Sequence, residues 1–81
     1  MKDSIFKEIT EILGLILRAN PSEISEGTGR EDYETWDSLS HLNIILAMEE
    51  QYGVGFTPEE IEGIRTAGDI AGLVASKLDS R

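Results

Sequence analysis

The stretch DSLSHLNIILAMEEQYG, residues 37–53, decides the fold because it reads as one long helix with a defined start and end. Its first two residues, Asp37 and Ser38, are of types that cap helix starts, and its final glycine is of the type that most often ends a helix. The apolar positions occupy more of the helix surface than one core-facing stripe needs. Either three neighbouring helices contact it, or the strip around Leu39 and Leu46 is a surface that meets partners.

Three further helices are predicted around this segment. A helix over about residues 4–18 is indicated by apolar residues at helical spacing, and Pro21 lies just beyond its end. This stripe consists of Ile5, Phe6, Ile9, Ile12, Leu13 and Ile16. A short helix should begin after Thr57, with proline in its first position, and a last helix at the capping-box sequence of residues 66–69. We therefore predict an all-α fold, a small four-helix bundle of three longer helices and one short one.

The rest of the chain supports a single domain, residues 1–81. Residues 20–24 read as a capped single turn, and residues 25–36 read as a long ordered loop because they are polar and lack sustained periodicity. There is no cysteine, so any thiol chemistry must come from an added group. No apolar run is long enough to cross a bilayer, and we expect a cytoplasmic monomer without stable membrane insertion.

The net charge of −9 is concentrated in one part of the chain. Nine of the sixteen acids lie in residues 31–63, which contain no lysine or arginine, while the other seven acids match the seven bases. Such a field repels nucleic acid and favours basic protein surfaces, although a merely solubilising surface is the simpler alternative. The acids do not have the spacing of a calcium-binding loop, so no metal site is predicted.

The residues of chemical interest are those at the start of the central helix. A serine there lies among backbone N–H groups without helical partners, where a phosphodiester would be stabilised. An ordinary helix cap explains Asp37 and Ser38 equally well. His41 lies three residues further on, but an Asp37/Ser38/His41 hydrolase would lack an oxyanion hole and a substrate cleft. We therefore expect a packed or half-exposed histidine, no catalytic residue and no enzyme activity.

Four segments in the right order resemble the acyl carrier protein family over almost the whole chain. Residues 37–39, Asp-Ser-Leu, are similar to the family's attachment motif. Residues 42–54 resemble its apolar second helix with an acidic pair and an aromatic-Gly-aliphatic end. Leu13-Gly14 together with residues 20–24 resembles the first helix and the loop start, and residues 64–70 resemble the entry to the last helix.

This resemblance implies a covalent cofactor and a set of partners. Ser38 would receive 4′-phosphopantetheine from coenzyme A through a Mg²⁺-dependent phosphopantetheinyl transferase, which Asp37 would help to engage. The arm would carry acyl groups as thioesters for fatty-acid, polyketide or related lipid biosynthesis. Acyl-loading and acyl-transferring enzymes with basic docking surfaces would be the further partners. The residues that the resemblance assigns to docking are Leu39, Leu46, Glu49 and Glu50.

Three positions depart from the family pattern and two alternatives stay open. Ser40 and Asn43 stand where the family often has acids, and Trp36 is bulkier than the residue typical of general fatty-acid carriers, so a specialised carrier is favoured. An aminoacyl or peptidyl carrier, loaded by an adenylating enzyme, would share the same scaffold. A helical interaction domain without a prosthetic group would share the acidic patch and the amphipathic helices.

Overall fold

The computed structural model describes residues 2–79 and is helical throughout that range, apart from turns and connecting segments. The four α-helices are α1 (Lys2–Leu17), α2 (Ser38–Tyr52), α3 (Pro58–Gly63) and α4 (Ala67–Asp79). Two single 3₁₀ turns, Pro21–Glu23 and Arg30–Asp32, lie in the long connection between α1 and α2. Within residues 2–79 the sole β-type pairing is an isolated bridge between residues 29 and 66. The predicted all-α bundle of three longer helices and one short one is therefore confirmed.

Helix α1 is followed by a residue with left-handed backbone, Arg18, and three positions later by Pro21. Arg18 has a φ of 59°, a backbone conformation that favours glycine, and the N–H of Ala19 donates to the carbonyl of Gly14 at 3.0 Å. This is the bond pattern that closes many helix C-termini. A Cβ added at Gly14 would lie 2.8 Å from the carbonyl oxygen of Ala19, so the close return of the chain requires glycine there. The predicted turn follows at once, with the Asn20 side chain accepting from the N–H of Ser22.

The core is formed where α1 packs against α4 and α2. Its fully buried large side chains are Ile9, Leu13, Leu17, Ile44, Met48, Ile64, Ile70 and Val74. The predicted stripe of α1 is correct at its centre, but Leu17 belongs to the core as well. Leu15, two residues earlier, is 83% exposed. The end of α2 is joined to α1 by the Tyr52 hydroxyl, which donates to Glu8 Oε1 at 2.8 Å. Partial burial and this bond raise the pKa of Tyr52.

The loop of residues 25–36 is held by the start of α4. The N–H of Ala67 donates to the carbonyl of Thr28, the N–H of Gly68 to that of Glu26, and the N–H of Arg30 to that of Arg65. A Cβ added at Gly68 would lie 2.8 Å from the oxygen of Glu26, so this approach depends on glycine. The loop is therefore ordered, as predicted, but it contains a 3₁₀ turn that its sequence did not reveal.

The starts of α3 and α4 are closed by reciprocal hydrogen bonds. At α3, Thr57 Oγ1 accepts from the N–H of Glu60, and Glu60 Oε1 accepts from the N–H of Thr57. At α4, Thr66 Oγ1 accepts from the N–H of Asp69, and Asp69 Oδ2 accepts from the N–H groups of both Arg65 and Thr66. The box at α4 was predicted from its sequence, whereas at α3 only the start after Thr57 with proline in the first position was predicted. Both boxes satisfy donors that the first turn of a helix leaves free.

Candidate functional site

The start of α2 has a capping side chain, Asp37, but its third helical position is Ser40, which is not an acid that could return a hydrogen bond to the capping residue. Asp37 has an extended backbone, and its Oδ1 accepts from the N–H of Ser40 at 2.8 Å, while its carbonyl accepts from the N–H of His41 at 2.8 Å. The bond from Ser40 is the main reason why the pKa of Asp37 lies below its usual value, although burial opposes it. Asp37 is therefore held as a carboxylate at the surface, beside the first turn of α2.

Ser38 occupies the first helical position and its side chain is exposed. Its hydroxyl makes no hydrogen bond with another residue in the described part of the chain. It lies at the positive end of the helix dipole, next to N–H groups that precede the helical hydrogen-bond ladder. A group attached to this oxygen therefore displaces no contact, and a negatively charged group meets a favourable field.

His41 does not face Ser38 as a general base would. Its ring is 5% exposed, and Nδ1 accepts from Trp36 Nε1 at 3.0 Å. Nε2 lies 2.8 Å from the carbonyl oxygen of Ile61. Because a carbonyl can only accept, Nε2 carries the ring proton. Both nitrogens are engaged, so the structure agrees with a packed histidine and does not form the Asp37/Ser38/His41 arrangement.

Trp36, the residue before the cap, is 3% exposed and belongs to the core. Its indole and the imidazole of His41 are stacked at 30° with centroids 6.2 Å apart. The bulk of this residue therefore cannot act by touching a partner protein. Any specialisation that Trp36 brings must act through the interior, whereas the departures at Ser40 and Asn43 lie in the exposed or half-buried part of α2.

The outer face of α2 carries three large apolar side chains in solvent. Leu39 is 68% exposed, Leu42 51% and Leu46 61%, whereas Ile44 and Met48 on the inner face are fully buried. The wide apolar sector therefore splits into a core face and an exposed strip, so neighbouring helices of the described chain do not cover its whole width. We call Leu39, Leu42 and Leu46 the leucine strip.

The two acids at the end of α2 have different surroundings. Glu50 is exposed and lies beside a shallow groove between α1 and α2. Glu49 is half-buried, and its Oε2 accepts from the N–H of Phe56 at 2.9 Å. Glu49 therefore ties the segment after α2 to the helix, and Glu50 is the better placed of the two to meet another molecule.

Several acids of residues 31–63 already have local partners. Asp32 Oδ2 accepts from the N–H of Gly29 at 2.7 Å. Lys77 of α4 reaches Glu60 at 2.8 Å, the one ion pair between side chains that the structure describes. This contact is the main reason why the pKa of Glu60 is lowered. Among the side chains that the structure describes, no group of three or more potential ligand residues lies close enough to hold a metal ion.

Comparison with known proteins identifies the family. Residues 7–74 match the model of the phosphopantetheine attachment site. This chain belongs to the acyl carrier protein family. A carrier from Petrotoga mobilis is 30% identical over 78 residues, covering 96% of this chain and 92% of its own length. The meromycolate extension acyl carrier protein of Mycobacterium bovis is 33% identical over 73 residues and covers 90% of this chain.

The structural comparison agrees with the family assignment. A holo acyl carrier protein from Geobacter metallireducens superposes with a TM-score of 0.83 at 31% identity, over 93% of this chain and 86% of its own. This chain spans 64% of the length of the M. bovis relative. The cofactor of the family is a covalently attached 4′-phosphopantetheine. None of the described helices is long and apolar enough to cross a membrane.

The start of α2 fits such a cofactor. Of the acyl carrier features inferred from sequence, the structure brings Asp37, Ser38 and Leu39 together on the surface, with Leu46 and Glu50 along the same helix. Glu49 lies on that helix too, but it is half-buried and accepts from the N–H of Phe56. Sequence reasoning missed the Trp36–His41 bond, although a spacing of five residues across a helix cap is the signature of a staple.

Proposed function

We propose that Ser38 carries 4′-phosphopantetheine and that the protein transports acyl groups on this arm. The observation that carries the proposal is the exposed, unbonded hydroxyl at the first position of α2, within a chain of the acyl carrier family. In this role the protein carries substrates for other enzymes and catalyses no reaction of its own. When attached, the arm supplies the thiol that this cysteine-free chain lacks.

Ser38, Asp37 and the dipole of α2 would each have a separate part in attachment of the arm. The Ser38 oxygen would bond to the pyrophosphate phosphorus of coenzyme A that bears the pantetheine, and the bond from that phosphorus to the bridging oxygen would break. Adenosine 3′,5′-bisphosphate leaves, and the serine proton passes to the transferase or solvent. The Asp37 carboxylate stays ionised beside it and contributes negative charge that a transferase-bound Mg²⁺ would favour. The positive end of the α2 dipole then stabilises the resulting phosphodiester.

The docking surface proposed for partner enzymes is the leucine strip with Glu50. Exposed leucines are the kind of apolar patch that marks an interaction site, and an acid beside them favours basic partners. Leu39 and Leu46 were expected in this role, and Leu42 joins them on the same face. Glu49 keeps a smaller part, because its bond to Phe56 already holds one oxygen.

Loading with coenzyme A tests the attachment site. The purified chain is incubated with coenzyme A, Mg²⁺ and a broad-specificity phosphopantetheinyl transferase, and intact mass is measured. We expect an increase by one arm in the wild type and none in Ser38→Ala. An unchanged wild-type mass, or an equal increase in both proteins, contradicts the proposal.

A matched pair of leucines tests the docking surface. Leu46→Ala and Leu15→Ala each remove one exposed leucine, the first from the strip and the second from α1. The kcat/KM for transfer of the arm to Ser38 by the transferase is measured for both variants. Because an interface anchor is lost, it should fall by roughly tenfold in Leu46→Ala, while Leu15→Ala should stay within about twofold of wild type. Equal effects of the two substitutions would remove the strip from the interface.

The cargo we propose is an acyl group, not an amino acid. The similar proteins named above are acyl carriers, and the leucine-rich α2 is consistent with them. Ser40 and Asn43 support a specialised set of partner enzymes, and the cytoplasm remains the predicted compartment. Mass spectrometry of the arm from the native cell decides the cargo, since an amino-acid thioester there would favour the aminoacyl carrier.

A further inference from the structure

Trp36 and His41 form a staple across the cap of α2. Trp36 precedes the capping residue Asp37, and His41 occupies the fourth helical position. Apolar side chains at these two positions often pack together and fix the angle at which the chain enters a helix. Here a hydrogen bond of 3.0 Å between two buried side chains makes that contact directional.

The staple is also anchored to α3. The N–H at His41 Nε2 donates to the carbonyl of Ile61, near the end of that short helix, at 2.8 Å. The backbone N–H of His41 donates to the carbonyl of Asp37. These three hydrogen bonds of His41 reach the loop before Ser38, the cap of α2 and the end of α3.

The bonds of His41 enclose the peptide that bears Ser38. Residues 37 and 38 lie between the two ends of the staple, so the orientation of the first turn of α2 depends on it. The Ser38 side chain itself has no bond within the described residues that would hold it. A nucleophilic oxygen without its own restraint can be oriented only through the backbone that carries it.

We propose that the Trp36–His41–Ile61 hydrogen-bond chain holds the backbone of Ser38 in the orientation that the transferase requires. His41 is then a positioning residue that acts through the start of α2 and never touches the arm. This inference rests on the proposed function, since it concerns the loading of Ser38. Replacing His41, the acceptor of the Trp36 bond, should slow transfer of the arm to Ser38 more than it weakens binding to the transferase.

The test compares His41→Leu with a control of similar effect on stability. The kinetics of arm transfer from coenzyme A to Ser38 are measured for wild type, His41→Leu and Val74→Ala. The last substitution opens a cavity at a buried position of α4 away from the staple. We expect kcat to fall about five- to tenfold in His41→Leu, which is within the range that loss of its two side-chain hydrogen bonds allows, with KM changed less than about twofold. Val74→Ala should keep the wild-type kcat at a temperature where both variants are folded. An unchanged kcat in folded His41→Leu, or an equal loss in Val74→Ala, overturns the proposal.

Two further variants separate the bond from the volume of the side chains. His41→Gln retains one acceptor and one donor and should recover part of the lost kcat. The double variant Trp36→Phe/His41→Leu replaces both partners with apolar groups, which is less disruptive than leaving one buried donor unpaired. It should fold and still load slowly. Wild-type kcat in the folded double variant would show that packing alone positions Ser38.

Nuclear magnetic resonance of the unmodified wild type gives a readout that needs no variant. The imidazole nitrogen shifts should show the Nε2–H tautomer, and the single indole N–H should exchange slowly with solvent. The other tautomer, or a rapidly exchanging indole, overturns the hydrogen-bond chain. If the chain is present but Ser38 of the wild type accepts no arm, the proposed function fails instead, and the two failures are thereby distinguished.

Discussion

The start of α2 differs from the starts of α3 and α4 in one chemical detail. In α3 and α4 an acid at the third helical position returns a hydrogen bond to the capping residue, at Glu60 and Asp69. In α2 the third position is Ser40, whose N–H donates to Asp37. Two helices therefore begin with closed boxes, and the one that bears Ser38 begins with a one-sided cap.

This difference indicates how the small bundle separates stability from access. The closed starts use their side chains to satisfy backbone donors, and α3 gains the additional contact between Glu60 and Lys77. At α2 the stabilising hydrogen bond joins two buried side chains, Trp36 and His41, and the surface around Ser38 stays open. The end of the bundle where we propose attachment is thus held by buried side chains.

Removing a closed cap should have the largest effect on stability. Thr57→Ala deletes the acceptor for the N–H of Glu60 and should cost ~1 kcal/mol, or about 4–8 °C in Tm. Circular dichroism melts measure this. Loading of Ser38 at a temperature well below Tm should stay at the wild-type rate. A drop in loading in folded Thr57→Ala would show that the helix starts are not separate in function.

Closing the open start should give a smaller effect of opposite sign. Ser40→Glu places an acid at the third position of α2, where its carboxylate can accept from the N–H of Asp37 and complete a capping box. Stability should rise by about 0.5 kcal/mol, or a few degrees in Tm. Ser40→Gln, which can make the same bond without charge, is the control. A fall in Tm for both variants would mean that this start is already satisfied in another way.

Acid should affect the two kinds of start in different pH ranges. The folded-state pKa values of Asp37 and Glu60 are depressed below 3.8 and 4.5, so each stabilises the fold above its ordinary value and loses that contribution as pH falls through the folded value. In thermal melts, the contribution of these two carboxylates should be constant between about pH 7 and about pH 5 and then decline. Glu60→Gln should remove the part of the decline that begins below 4.5. A decline that is unchanged in this variant would place the titrating group elsewhere.

Local signals in the sequence predicted the helix ends well. Pro21, Gly53 and the Thr57–Pro58 pair each act through their own backbone or nearest neighbours, so their effect can be read without the fold. The position of Ser38 at the start of a helix could be predicted for the same reason. The turn at Arg30–Asp32 escaped notice because three residues give no periodicity.

Contacts between distant parts of the chain could not be predicted in this way. The bond from His41 to Ile61 joins residues 20 apart, and the pair of Glu60 and Lys77 joins residues 17 apart. Nothing in the pattern around Trp36 distinguishes a buried indole from an exposed one. The leucine strip was only one of two alternatives, because the apolar width of α2 does not reveal how many helices contact it.

The packing of α1 against α4 has a consequence for synthesis of the chain. The first helix completes its core contacts only with the last one, and loop residues 26–30 bond to residues 65–68 across about forty positions. Such separated contacts form late in folding because loop closure must precede them. On the ribosome, the bundle can therefore reach its final packing only after α4 has emerged, and we expect a nascent chain ending before residue 67 to remain sensitive to proteases.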